Sequence, residues 1–185
     1  MDRTPESFAE ALASGETDRV RDAIDEIEAV ETADRVERYP VLFDACSPVY
    51  ESDDGYVRQS VVRFLRDAYP MLEVRLAGSD AESVAGYALD DLTENRVRLA
   101  ELLLEALEDG DGRVRTAAVD GFDTLGLAID LAQSDAEKRA LLEELDALAS
   151  ALPEEKATHV DSAKQSVERM GFAGSLVSDL DLDSL

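Results

Sequence analysis

Two five-residue segments, Asp54-Gly55-Tyr56-Val57-Arg58 and Asp111-Gly112-Arg113-Val114-Arg115, repeat the pattern Asp-Gly-x-Val-Arg, each followed by an apolar stripe of helical spacing. A weaker copy stands at Thr17-Asp18-Arg19-Val20-Arg21. The valines are therefore spaced by 37 and then 57 residues, and a degenerate fourth unit around His159 and Val160 follows about 45 residues later. Repeats with periods near ~40 residues belong to helix-pair arrays. One helix hairpin cannot bury its apolar face alone, so neighbouring units must stack to close a common core.

The residues between these marks support helices throughout, because only five prolines and ten glycines interrupt the pattern. Thr4 and Pro5 open a helix that runs to Ala13 and stops at Ser14-Gly15. A second starts near Thr17 and buries Val20, Ala23, Ile24, Ile27 and Val30. A third spans Glu31 to Tyr50, with Pro40 expected to kink or split it. Asp53-Asp54-Gly55 opens the next, which Pro70 breaks. Ser79-x-x-Glu82 is a capping box for a helix through Asp91, and Thr93-Glu94 opens another that ends at Asp109-Gly110-Asp111-Gly112. A second capping box, Ser134 to Glu137, starts a helix carrying Leu141, Leu145, Leu148 and Leu152. Pro153 separates it from the last helix, which presents Val160, Ala163, Val167 and Met170 and is expected to stop at Gly171.

Within each pentad the acid caps the helix, the glycine allows a tight turn and the valine begins the buried stripe. Arg58 and Arg115 then face the neighbouring unit, where a five-donor guanidinium bridges carboxylates and backbone oxygens.

This arrangement resembles the HEAT-repeat family. The closest unit runs from Val97 to Leu107, through the Asp-Gly-Asp-Gly turn, into Val114-Arg115-x-Ala117-Ala118 and Leu125-Gly126. The resemblance implies an all-α fold, a short right-handed α-solenoid of about four helix pairs. It implies a ladder between adjacent repeats built from Asp54, Arg58, Asp111 and Arg115, and a first helix bent at a proline such as Pro40. The expected domain covers residues 1–172, with an inserted helical segment at 70–92 and an acidic, loosely docked tail at 173–185.

Charge bears on function. The chain has 43 Asp and Glu against 18 Lys and Arg, a formal charge of -25, and all but three of the basic residues (Lys138, Lys156, Lys164) are arginine. Self-repulsion of this size strains a compact fold at low salt, whereas at ~1 M salt the screening length is about 3 Å. With an apolar fraction of 45%, the chain reads as a folded protein adapted to concentrated salt, as in a halophilic archaeon. Direct binding to nucleic acid is not expected without a basic footprint. No run is long and apolar enough for a membrane span, and Met1-Asp2-Arg3-Thr4-Pro5-Glu6 has no signal-peptide pattern, so the expected location is cytoplasmic.

Catalytic and metal motifs are not apparent. An EF-type loop with Asp111 and Gly112 as its fifth and sixth positions needs acids where Leu107 and Ala118 stand. One cysteine, Cys46, and one histidine, His159, leave no Cys- or His-based metal set and no triad. Carboxylate pairs such as Asp90-Asp91, Glu143-Glu144 and Glu154-Glu155 read as solvated faces in so acidic a chain. No catalytic residue, metal or cofactor is expected.

One stretch departs from the acidic background. Between Tyr56 and Gly78 four arginines (Arg58, Arg63, Arg66, Arg75) meet two acids (Asp67, Glu73), and seven of the ten aromatics lie between residues 39 and 87. Tyrosine and arginine are enriched at interface hot spots. Tyr56, Arg63, Arg66, Tyr69 and Arg75 are therefore the candidate partner-binding residues; the competing reading has the arginines neutralising local acids and the aromatics filling the core. The expected function is a non-enzymatic interaction module or scaffold for a protein or peptide, monomeric or weakly self-associating. The alternatives are an accessory or lyase-like enzyme subunit and a self-associating structural protein. Salt adaptation makes a direct prediction: the melting temperature rises as KCl is raised from about 0.1 to 3 M, and an unchanged value across that range contradicts the charge reading.

Overall fold

The computed structural model describes residues 3–178 apart from 79–82 and 85. Among these the regular elements are helical, with one isolated antiparallel bridge between Val84 and Tyr87. In order they are α1 (Pro5–Ala13), α2 (Thr17–Glu28), α3 (Thr32–Cys46), α4 (Gly55–Ala68), α5 (Leu72–Ala77), α6 (Thr93–Leu107), α7 (Gly112–Leu131), α8 (Asp135–Ala151) and α9 (Glu154–Ser178). Short 3-10 helices occupy Ser47–Glu51 and Leu89–Leu92. No helix among the described residues is long and apolar enough to cross a membrane.

Local chemistry sets many of these boundaries. The Thr4 hydroxyl accepts the Ser7 amide at 3.3 Å, and Pro5 takes the first helical position, where its missing N–H costs nothing. Asp54 and Asp111 start α4 and α7 alike: each carboxylate accepts the amide two residues on, from Tyr56 at 2.8 Å and from Arg113 at 2.9 Å. Gly15, at φ +64°, takes the left-handed conformation between α1 and α2 that a side chain would resist. Pro70 ends α4, and Met71, also left-handed at φ 46°, redirects the chain into α5.

Helices adjacent in sequence pack as pairs, α1 with α2, α3 with α4, α6 with α7 and α8 with α9. Contacts between pairs run through both α1 to α3 and α2 to α4 at the N-terminal end, and then through α4 to α7 and α7 to α9. A single apolar cluster extends from Phe8 and Leu12 through Tyr39, Phe64 and Leu103 to Phe122, Leu145 and Val167. Gly121 in α7 permits the close approach to α6, since a Cβ there would sit 2.4 Å from Leu103 Cδ2. The segment after α4 has a smaller cluster of its own, Leu72, Leu76 and Leu92 around Val36 of α3.

Several expectations are corrected. Pro40 does not split α3, which runs on to Cys46 and is followed by the 3-10 helix Ser47–Glu51 in place of the helical stretch expected to reach Tyr50. The Ser79–Glu82 capping box lies outside the described residues, and the described residues between it and Leu89 are not helical. A turn with Gly86 at φ +84° and the 3-10 helix Leu89–Leu92 stand there instead. Ser134 makes no side-chain cap, and the Glu137 carboxylate is held by Arg96. α9 passes through Gly171 to Ser178; one helical glycine costs only about 1 kcal/mol, too little to end a helix by itself. Residues 173–178 therefore belong to α9, and the rest of the expected tail, 179–185, lies outside the described residues.

Candidate functional site

The pentads generate one geometry twice. Arg58 donates from Nη1 to the Ser52 carbonyl at 2.7 Å, and Arg115 donates from Nη1 to the Asp109 carbonyl at 2.9 Å; each acceptor lies six residues before its arginine. Each arginine also reaches the next pair. Arg58 grips Asp109 with Nε at 2.7 Å and Nη2 at 2.9 Å, and Arg115 meets Glu155 of α9 at 2.6 Å. The two arginines thus meet acids other than Asp54 and Asp111. Asp54 and Asp111 cap their own helices, while Asp109 and Glu155 receive the arginines.

Asp109 is the most heavily committed carboxylate of this joint. Besides Arg58 it accepts the Tyr50 hydroxyl at 2.9 Å and the Asp111 amide at 2.7 Å, and its side chain is 5% exposed. Burial works against its ionisation, but hydrogen bonds from Arg58, the Asp111 amide and Tyr50 outweigh it and hold the carboxyl below its ordinary value. Burial and Asp109 together push the Tyr50 phenol upward. Arg113, donating to Asp111, draws that carboxyl down to about 2. Gly55 packs directly against Asp111: a Cβ there would lie 2.0 Å from Asp111 Oδ2. Close approach between successive pentads, rather than a special φ, therefore demands glycine at this position. The third pentad takes no part, since among the described residues Arg21 pairs only with the exposed Asp18, at 3.5 Å.

A second buried polar cluster pins the inserted segment. Arg96, 3% exposed, donates from Nη1 to Glu73 of α5 at 3.1 Å and holds Glu137 of α8 with Nε at 2.7 Å and Nη2 at 2.9 Å. Tyr69 donates to Glu73 at 2.6 Å, while Glu73 Oε2 has no partner among the described residues. Burial first, then the Glu73 charge, raises the Tyr69 phenol well above its usual value. Burial opposes ionisation of Glu137, yet the Arg96 hydrogen bonds keep its carboxyl below the usual range. The Arg96 cluster has no sequence motif, and the pentads do not reveal which acids their arginines meet. The one available signal was that Asp109 stands at the same offset from Arg115 as Ser52 does from Arg58.

The candidate partner-binding residues separate. Tyr69 is 1% exposed and stacks edge-on against Tyr39 at 5.4 Å, so it belongs to the core and to no surface. Arg66 is held by its neighbour Asp67 at 2.7 Å and reaches Asp120 of α7 at 3.8 Å. Tyr56 is half-buried, and Arg63 and Arg75 are exposed with no carboxylate partner among the described residues. Of the seven aromatics between residues 39 and 87, Tyr39, Tyr50, Phe64 and Tyr69 are buried, so the clustering mostly reflects core filling. Cys46 is also fully buried, and desolvation pushes its thiol up to about 12, which makes it a packing residue. Among the described residues no group of three or more His, Cys, Asp or Glu side chains is arranged to hold a metal ion.

No protein-family model, curated protein or solved structure matches this chain.

The depressed Asp109 carboxyl dictates a sign. Its contribution to stability is present above the ordinary value of 3.8 and is lost as pH falls through the lower folded value. Asp109→Asn should lower the melting temperature at pH 7, and the gap from the parent should close as pH drops toward 2. A gap that persists unchanged at low pH contradicts the assignment.

Proposed function

We propose that the chain is a non-enzymatic interaction scaffold: a short HEAT-type solenoid, working at high salt in the cytoplasm, that holds a protein or peptide partner on the face of its second helices. The observation that carries this reading is the packing order, in which α2, α4, α7 and α9 follow one another in a row while each keeps a helix of its own pair. Stacked helix pairs build extended surfaces of this kind. The arginine at the fifth pentad position supports the repeat character, since Arg58 and Arg115 make the same bond to a carbonyl six residues before them and each also reaches an acid of the next pair. The single cysteine, buried at Cys46, suits a reducing compartment.

On this face Arg63 is the residue to test. It lies one turn before Arg66 on α4, and Arg66 points across to Asp120 of α7. In a chain with 43 acids, an exposed arginine without a carboxylate partner among the described residues is a cation left available. Fold alone names no activity, and the buried Tyr69–Glu73–Arg96 cluster offers no open site for a substrate. Arg63→Glu should leave the thermal melt unchanged and remove the partner recovered by pull-down from native extract at molar KCl. Recovery of the same proteins by the variant removes this face from consideration.

A further inference from the structure

A groove separates α6 from α8 on the side of the molecule formed by first helices. Val97, Ala100 and Leu104 line one wall, Ala140 and Leu141 the other, and Ile129 of α7 the floor. Val97 is 45% exposed, one of the few large apolar residues open to solvent. Val97, Ala100, Glu101 and Leu104 recur at helical spacing, so α6 carries a second stripe beside the one it buries. Across the groove, α8 buries only Leu141 and Leu145 of its seventeen residues. A shallower depression prolongs the groove along α8, sharing Ala140 and Glu144 and continuing over Ala147, Leu148 and Ala151.

We infer that this groove is a second docking site, and that its occupant is an amphipathic helix of another protein whose apolar stripe is flanked by lysine and arginine. Shape argues for a helix: the groove is an open trough that continues along α8 over Ala147, Leu148 and Ala151, whereas small molecules are largely enclosed by the sites that hold them. Its length along α8 and its alanine-lined wall suit a helix laid close against it. Charge defines the occupant further. Glu101, Glu143 and Glu144 edge the groove, and no cation among the described residues pairs with any of them. Arg96, the one cation lining the groove, is spent on Glu73 and Glu137. A second copy of the chain, at net charge -25, brings like charge to this rim, whereas a basic helix neutralises it. The site lies apart from Arg63 and stands or falls independently of that face.

The test uses the full chain at about 1 M KCl, where screening confines attraction to contact range. The probe is a fluorescein-labelled peptide of leucine, alanine and lysine with its leucines on one helical stripe; a scrambled peptide of identical composition is the control. Anisotropy should show saturable binding of the striped peptide at least tenfold tighter than the scrambled one. Val97→Asp adds negative charge to the protein yet spoils the apolar wall, so it should weaken the striped peptide at least tenfold. Glu101→Lys with Glu144→Lys should weaken it to a similar degree, while Glu28→Lys on α2 should not. Ala140→Asp, at an exposed position on the opposite wall, gives the same readout should Val97→Asp fail to melt cooperatively. Equal binding of both peptides, or unchanged or tighter binding by the wall variants, overturns the inference. A concentration-dependent dimer abolished by Val97→Asp overturns it in favour of a second copy.

Discussion

The bidentate grip of Arg58 on Asp109 is the constraint from which the middle of the molecule follows. Two guanidinium nitrogens, a phenol and a backbone amide converge on one carboxylate, which ties the loop before α4, the start of α4 and the turn between α6 and α7 to one point. Such a joint is neither a surface ion pair, worth at most about 1 kcal/mol, nor a fully sequestered one whose breakage costs about 3 to 5 kcal/mol. Arg58 keeps 19% of its side chain in contact with solvent while Asp109 keeps 5%. The guanidinium therefore remains partly hydrated, and the buried partner is the one that depends on being paired.

Everything near this joint adapts to its spacing. Gly55 has to be glycine because the next pentad's Asp111 occupies the space of a side chain. Arg115 reaches the next pair by a weaker contact, a single bond to Glu155, whose side chain is 83% exposed, and Lys156 adds to it by donating to the Glu108 carbonyl at the C-terminal end of α6. The insertion relies on its own pin, Arg96, which binds α5 to α6 and α8 through Glu73 and Glu137. These contacts also shape the molecular surface. Arg96 and Glu137 close one end of the groove between α6 and α8, so the residues that anchor the insertion also help define the space a partner helix would enter.

Local chemistry was legible in the sequence, and inter-helix distance was not. Thr4, Asp54 and Asp111 act within three residues of themselves, so their capping roles, and with them the starts of α1, α4 and α7, follow from residue type and position. The ladder arginines were also legible, as the repeated fifth residue of a pentad. Their partners were not, because Asp109 and Asp111 are indistinguishable in a string and only the packing of one pair on the next decides which faces Arg58. The Ser134–Glu137 box lacks its reciprocal half for a related reason: the Glu137 carboxylate is held by Arg96, forty-one residues away. Tyr69 carried the composition of an interface residue, and only its burial against Tyr39 assigns it to the core. The groove left no motif, since its walls come from stripes on two helices that sequence alone cannot set opposite each other.

The most direct measurement of this account is a double-mutant cycle in thermal or urea unfolding at molar KCl, comparing Arg58→Ala, Asp109→Ala and the pair. If the joint couples one helix pair to the next, the two substitutions interact by about 1.5 to 3 kcal/mol, the range of a hydrogen bond to a charged group. Additivity within about 0.5 kcal/mol, the behaviour of independent sites, would contradict the claim that this contact joins one helix pair to the next.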